Sequence, residues 1–151
     1  MESQRLAQET FCHVAIVVDD IERAAKAWAE ALGVPVPQGQ LTDPAEKAHT
    51  RYRGQPTDGR AKLAFFQLGP VTIELIEPVG GPSVWQERLD AAGPGVHHVA
   101  FQVRDADATV ERLKGQGMDV VQTGEFTGGR YIYLDAAERL GVLLELLANR
   151  R

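Results

Sequence analysis

CHVAIVVDDI at residues 12–21 and HHVAFQVRDA at residues 97–106 are two copies of one pattern. Each copy places His-Val-Ala ahead of an apolar run and an aspartate. The alternation of apolar residues in each copy has a period of two, which predicts a β-strand. Each strand then runs into apolar residues spaced by three and four, which predicts a helix ending at Gly33 in the first copy and at Gly115 or Gly117 in the second.

The later parts of the two halves also match. Residues 59–77 read GRAKLAFFQLGPVTIELIE, and residues 129–147 read GRYIYLDAAERLGVLLELL. Each segment starts with Gly-Arg, forms an apolar strand, turns at a glycine and returns as a strand that carries a glutamate. One more strand fits into each half, at about 48–53 and 119–122. The order strand, helix and three strands therefore occurs twice.

This repeat predicts an α+β fold in which two βαβββ modules are related by a pseudo-two-fold axis. The chain is expected to form a single domain, 1–151, and segment 34–47 is expected to be a flexible loop. Asp20 and Asp105 are predicted to cap the two helices, because a short carboxylate accepts the unpaired amides of a first turn. The module bounds are as follows: module one about 11–78, linker helix about 83–92, module two about 96–148.

Composition excludes several classes of protein. The 151 residues are 44% hydrophobic, which suffices for a core, and the net charge of −5 gives no sign of nucleic-acid binding. The single cysteine, Cys12, excludes an internal disulfide and a CxxC zinc site. The first ten residues lack the apolar run of a signal peptide, and no stretch is long enough to cross a membrane. A cytoplasmic protein is therefore expected.

Two histidines and two glutamates occupy matching places in the repeat. His13 and Glu74 belong to the first half, and His98 and Glu145 to the second. Glu145 lies between Leu143 and Leu147 on one face of its strand, where an unpaired carboxylate would be costly to bury. Each residue alone has an ordinary explanation, as a hydrogen-bonded histidine or a solvent-facing glutamate. Two matching pairs instead predict a shared metal site.

Two imidazoles and two carboxylates suit a divalent Zn, Ni, Co, Mn or Fe ion. If the ion is octahedral, two positions stay open for water or substrate, as Lewis-acid catalysis requires. The His-Val-Ala match makes His98 the ligand, and a regular strand would turn His97 to the opposite face. His97 is therefore expected to be structural or to support the ligand, and His49 to be an ordinary surface histidine. No organic cofactor is predicted.

The sequence resembles the vicinal oxygen chelate superfamily of glyoxalases, bleomycin-resistance proteins and dioxygenases. HVAIVVDDIERAAKAW, TIELIEP, GVHHVAF and GVLLELL carry the resemblance, which covers residues 11–148. It implies two βαβββ modules that form a cupped mixed sheet around a metal, with the ligands at His13, Glu74, His98 and Glu145. Within the superfamily the sequence is most similar to methylmalonyl-CoA epimerase-like members.

The resemblance to epimerases implies proton abstraction next to a metal-bound carbonyl, in an epimerase, isomerase or lyase. Counting back from Glu74 by the epimerase interval reaches Asp58, the candidate base. The Asp58 side chain is one methylene shorter than the glutamate of the family pattern, and it is equally well explained as the first residue of a turn. Glu145, displaced from the metal, is the other candidate. Arg51, Arg53, Arg60 and Lys62 are candidates for steering an anionic substrate.

Other functions fit the same residues. A glyoxalase I-like lactoylglutathione lyase would use the same four ligands, whereas a non-catalytic, small-molecule-binding resistance protein generally lacks them. An extradiol dioxygenase is disfavoured, since a carboxylate at Glu74 would crowd its oxygen site. The expected partners are a small-molecule substrate, with an anionic compound or an acyl-CoA as candidates, and a second copy of the chain in a homodimer. Neither nucleic acid nor membrane is expected.

Overall fold

The computed structural model describes residues 5–149, so the ends of the expected domain, residues 1–4 and 150–151, lie outside the described residues. The helices are α1 (Ile21–Leu32), α2 (Ala45–Ala48), α3 (Val84–Ala92), α4 (Ala106–Lys114) and α5 (Ala137–Leu140). A 3-10 turn covers Leu6–Gln8. The strands are β1 (Thr10–Val17), β2 (Gln40–Leu41), β3 (Arg51–Tyr52), β4 (Gln55–Pro56), β5 (Arg60–Leu68), β6 (Val71–Val79), β7 (Gly95–Gln102), β8 (Val120–Phe126), β9 (Gly129–Leu134) and β10 (Leu143–Asn149).

All ten strands belong to one curled, mixed sheet, which confirms the predicted fold class. Their order is β2-β5-β6-β1-β7-β10-β9-β8-β3-β4. The pairs β1/β6 and β7/β10 are parallel, and every other neighbouring pair is antiparallel. The repeated His-Val-Ala strands, β1 and β7, therefore lie side by side. Strands β6, β5 and β2 continue outward from β1, and strands β10, β9 and β8 continue outward from β7.

Each strand divides its side chains between the concave and the convex face of the sheet. On β10, Leu144 and Leu146 pack with α4 in the outer core, whereas Glu145 faces the cavity inside the cup. On β6, Leu75 packs with Ile21 and Ala25 of α1. Because side chains alternate along a strand with a period of two, a residue that points into the cup is followed by one that points toward the helices outside it. The glutamates of the repeat therefore face inward.

The second strand of the first half is not where the sequence predicted it. The outer partner of β5 is β2, which lies inside the segment expected to be a loop. The predicted strand at 48–53 exists only as β3, and β3 pairs with β8 of the second half. Arg53 and Gly54, with φ of 50° and 82°, form the tight turn that returns β3 as β4. This β3–β4 hairpin thus crosses from one half to the edge of the other.

The two halves are also joined across the mouth of the cup. His49, at the end of α2, lies 2.8 Å from the Glu125 carboxylate on β8. His49 is exposed, as expected, yet it holds the loop of the first half against the second half. The structure thereby gives His49 a role that the sequence did not indicate.

No helix among residues 5–149 is long and apolar enough to cross a membrane.

Both predicted helix caps are present. Asp20 accepts a hydrogen bond from the Arg23 amide, and Asp105 accepts one from the Ala108 amide. Helix α1 ends at Gly33, whose φ of 73° is the left-handed value that favours glycine.

Asp20→Ala should lower the free energy of unfolding by about 1 kcal/mol, because the capped amide loses its partner. Urea unfolding followed by circular dichroism measures the change. Asp19→Ala is the matched control, since Asp19 is an exposed neighbour that does not cap the helix. Equal effects of the two substitutions would contradict the capping role.

Candidate metal centre

The four residues singled out by the repeat meet at one point inside the cup. His13, Glu74, His98 and Glu145 come from β1, β6, β7 and β10, four consecutive strands of the sheet, and all four residues are buried. Their ligand atoms all lie within 4.8 Å of one another. The measured separations are 3.2 Å between the two Nε2 atoms, 3.0 and 3.2 Å from Glu145 Oε1 to His13 and His98, and 3.5 and 3.6 Å from Glu74 Oε1 to the same two nitrogens.

Strand register explains this convergence. His13 lies opposite Ala100 on β7, and His98 lies opposite Ala15 on β1. Ala100 in turn neighbours Glu145, and Ala15 neighbours Glu74. Across the sheet, Ala100 therefore lies between His13 and Glu145, and Ala15 lies between His98 and Glu74. A methyl group leaves the space between these side chains open, which a larger residue would fill.

The geometry fits a bound divalent ion. Imidazole nitrogens and carboxylate oxygens bind such ions at about 2.0–2.2 Å, which puts adjacent ligand atoms about 3.0–3.5 Å apart in octahedral or tetrahedral arrangements. The measured separations of 3.0–3.6 Å match this spacing. Glu145 Oε1 is buried and accepts no hydrogen bond from the described residues, although two imidazole nitrogens lie close by. These atoms are aimed at a common point rather than at one another.

The two carboxylates differ in their affinity for protons when no metal is bound. Burial raises the pKa of Glu74 to about 8, partly offset by His13 and reinforced by the charge of Glu145. Burial acts in the same direction on Glu145, but His98 and His13 outweigh it and hold the pKa of Glu145 below its usual range. The metal-free centre therefore keeps Glu145 ionised and carries a proton on Glu74 near neutral pH.

His97 supports His98 from the adjacent position. The register between β1 and β7 skips His97, since Ala15 pairs with His98 and Ile16 pairs with Val96. The irregularity brings His97 Nδ1 to 2.8 Å from His98 Nδ1. The expected turn of His97 to the opposite face was wrong because it assumed a regular strand.

A hydrogen-bond chain sets the tautomer of His98. Burial and the neighbouring His98 lower the pKa of His97 to about 3, so His97 is neutral. The Val84 carbonyl, 3.2 Å from His97 Nε2, can only accept, so Nε2 carries the hydrogen and Nδ1 keeps a lone pair. His98 Nδ1 donates to that lone pair, which leaves His98 Nε2 unprotonated and facing the centre.

Strand β1 of the first half has the same register irregularity as β7, but it has no second histidine. The register skips Cys12, just before His13, as it skips His97 before His98. The Cys12 thiol donates to the Thr10 carbonyl at 3.4 Å rather than to a ring nitrogen. The two halves therefore share the skipped residue before the metal-site histidine, but the skipped residue makes different contacts in each half.

A cavity of about 510 Å³ opens from the centre. Its apolar wall includes Leu63, Phe65, Ile76 and Leu147, and segment 34–60 contributes residues 40–43, 48, 50 and 59.

Aromatic residues that the sequence did not single out line another part of the cavity. Trp85 Nε1 donates to the Tyr133 hydroxyl at 3.0 Å, and burial raises the pKa of Tyr133 well above its usual value. The Tyr131 ring lies over Gly124, where an added Cβ would be 2.4 Å from ring carbons. These tyrosines looked like ordinary strand residues in the sequence.

The structure places Asp58 away from the centre. It is exposed and lines a separate cavity with Tyr52, Arg53 and Pro82, and it is not among the residues that line the cavity at the metal centre. This placement argues against Asp58 as the base, and its role stays a prediction.

The chain belongs to the glyoxalase/bleomycin resistance protein/dioxygenase superfamily, whose family model matches residues 12–133. The family expected from the sequence is therefore confirmed.

Its relatives include epimerases. A 2-epi-5-epi-valiolone epimerase from an Actinomyces species is 30% identical over 143 residues, which cover 89% of this chain and 76% of the relative. An ethylmalonyl-CoA/methylmalonyl-CoA epimerase from Cereibacter sphaeroides is 31% identical over 140 residues, covering 89% of this chain and 93% of the relative. Among solved structures, a methylmalonyl-CoA epimerase from Mycobacterium tuberculosis has a TM-score of 0.65 and 25% identity, covering 100% of this chain and 97% of its own.

Replacement of His97 tests the support of His98. His97→Phe should weaken metal binding about 10–100-fold, as is typical when a group that orients a ligand is lost. His97→Asn should restore part of the affinity, because its amide oxygen can accept from His98 Nδ1. Competition with a chromophoric chelator measures affinity, and circular dichroism checks folding. Equal affinities of folded Phe and Asn variants would contradict the hydrogen-bond chain.

Metal affinity should rise with pH and level off above the Glu74 pKa of about 8. Below that value an ion must displace the proton on Glu74, which costs about tenfold in affinity per pH unit for one proton. Isothermal titration calorimetry in buffers of different ionisation enthalpy should count at least one proton released at neutral pH. Glu74→Gln should flatten the dependence. An affinity that is already independent of pH in the wild type would contradict the protonated Glu74.

Proposed function

We propose that the chain is a divalent-metal-dependent epimerase that moves a proton next to a carbonyl group. The observation that best supports this proposal is the convergence of four buried residues at the cavity: His13, Glu74, His98 and Glu145. The epimerase relatives favour this reaction over the glyoxalase I-like lyase. The buried donor set also argues against a non-catalytic resistance protein. Zn, Ni, Co, Mn and Fe all suit these ligands.

A bound ion would supply a Lewis acid that polarises the substrate carbonyl and stabilises the negative charge that develops on its oxygen. The protein supplies the groups that move the proton. In the reaction, the C–H bond beside the carbonyl breaks, its electron pair forms the enolate, and the proton passes to a carboxylate. Return of a proton to the opposite face of the same carbon gives the epimer, with no oxidant or reductant consumed.

Glu145 and Glu74 are suited to these two transfers. They lie on β10 and β6, the outer two of the four strands that carry the metal centre, so they flank the centre from the two halves. Glu145 offers a buried carboxylate that can accept the proton, and Glu74 offers a second buried carboxylate through which a proton can return. The two imidazoles and the carboxylate that is not moving a proton would hold the ion.

The aromatic wall supports the same chemistry. Trp85 occupies an acceptor position of the Tyr133 hydroxyl, which leaves the Tyr133 hydrogen for a ligand in the cavity. Its raised pKa keeps this hydroxyl protonated, so it is suited to donate to a substrate oxygen. The apolar wall around Phe65 and Ile76 limits water near the reacting carbon.

The substrate classes carried over from the sequence are an acyl-CoA and another small anionic molecule. A methylmalonyl-CoA epimerase of similar fold has been solved with methylmalonyl-CoA, at a TM-score of 0.64 and 20% identity. A homodimer and a cytoplasmic location stay predictions.

Glu145→Gln should lower solvent-deuterium uptake into the substrate carbon at least about a hundredfold, because the amide cannot accept the proton. Uptake is measured by NMR in heavy water with acyl-CoA and α-hydroxy-ketone substrates, on protein whose metal content has been matched. Glu111→Gln, on the exposed side of α4, is the control. Uptake unchanged by Glu145→Gln would refute the mechanism.

Asp58→Asn serves as the comparison in the same assay. Because Asp58 lies outside the cavity, the variant should keep wild-type uptake. A loss as large as that caused by Glu145→Gln would instead assign the base to Asp58.

A further inference from the structure

Carboxylates dominate the charge of the cavity. Glu74 and Glu145 belong to the metal centre, and Asp43 and Glu125 reach the cavity from the rim. Among the described residues that line the cavity there is no lysine or arginine. The remaining polar lining consists of neutral groups that donate or accept hydrogen bonds: Gln40, Thr42, Thr50, Thr127, Tyr131 and Tyr133.

Each of the four basic residues expected to steer an anionic substrate has a partner in the protein, and none of the four lines the cavity. Arg53 pairs with Glu87, and Lys62 pairs with Glu77. The other two donate to carbonyl oxygens, Arg51 to that of Gly54 and Arg60 to that of Thr42.

Two further cations are paired with the acids of the rim. Lys47 Nζ lies 3.8 Å from the Asp43 carboxylate, and its side chain is 63% exposed. His49 pairs with Glu125. Neither Lys47 nor His49 lines the cavity.

The metal centre itself offers little attraction to an anion. Two glutamate ligands cancel the two positive charges of a divalent ion, so the centre with both carboxylates ionised has no net charge. A substrate carboxylate would then meet Asp43 and Glu125, with no lysine or arginine among the described lining residues, and like charges brought together oppose binding. Hydroxyl groups, by contrast, donate well to carboxylates.

We propose, resting on the proposed function, that the substrate is an uncharged polyhydroxylated ketone rather than an acyl-CoA or another anion. Its carbonyl and neighbouring hydroxyl would lie at the metal centre. Its outer hydroxyls would donate to Asp43 and Glu125 and exchange hydrogen bonds with Thr50 and Tyr131. The aromatic faces of Trp85 and Phe126 would pack against its C–H groups.

The test compares two probes on the full-length protein loaded with Co²⁺. One is 2-keto-myo-inositol, an uncharged cyclic pentahydroxy ketone, and the other is methylmalonyl-CoA. Deuterium uptake beside the carbonyl is followed by NMR, and binding of each probe is measured by isothermal titration calorimetry. We expect kcat/KM for uptake to be roughly a hundredfold higher with the ketone, in keeping with the cost of opposing like charges.

Rim variants identify the cause of the preference. Glu125→Gln and Asp43→Asn should each raise KM for the ketone about tenfold, the scale of a lost charge-assisted hydrogen bond. The same changes should improve binding of methylmalonyl-CoA. Glu111→Gln should leave both probes unaffected.

Each adverse outcome has a distinct meaning. Uptake into methylmalonyl-CoA as fast as into the ketone would overturn the substrate class while leaving the proposed reaction intact. Ketone binding without uptake into either probe would refute the proposed reaction, and the calorimetric preference would then decide the substrate class alone. Weaker binding of the ketone than of methylmalonyl-CoA, or binding of neither, would overturn the inference.

Discussion

The antiparallel pairing of β1 with β7 is the interaction on which the rest of the molecule depends. It sets His13 across from Ala100 and Ala15 across from His98, so a single register places both histidines in the cup. A slip by one residue would turn these side chains under the outer helices, where the apolar core lies. The parallel partners β6 and β10 add one glutamate each, at the same level as the alanines. The metal centre and the division between the two faces of the sheet follow from that one pairing.

The two halves share one order of strands and helix, but they differ in the residues beside the metal site and in the loops at the mouth of the cavity. His97 orients His98 through a ring nitrogen, whereas Cys12, at the matching place, bonds to its own strand. The β3–β4 hairpin has no counterpart in the second half and extends only one end of the sheet. His49 and Glu125 tie its flanking loop across the mouth. The two halves therefore form a single cavity, and its two sides carry different structural elements.

Features that depend on local periodicity were accessible from the sequence. The long strands, the capping aspartates and the meeting of His13, Glu74, His98 and Glu145 all follow from spacing and from the repeat. Features that depend on local irregularities of the backbone could not be predicted from the sequence. The position of His97 reflects a skipped register, which an alternating pattern does not reveal. The pairing of β3 with the second half is a long-range contact between two-residue strands, too short for any periodic signal.

The two ends of the sheet have a consequence for how copies of the chain meet. The edge strands, β2 and β4, are two residues long, and β4 carries Pro56, which has no amide hydrogen to offer a neighbour. A ten-stranded sheet with long, flat margins would recruit further strands and grow into aggregates. The shortness of β2 and β4, together with Pro56, instead limits how far a further strand could pair with either of them.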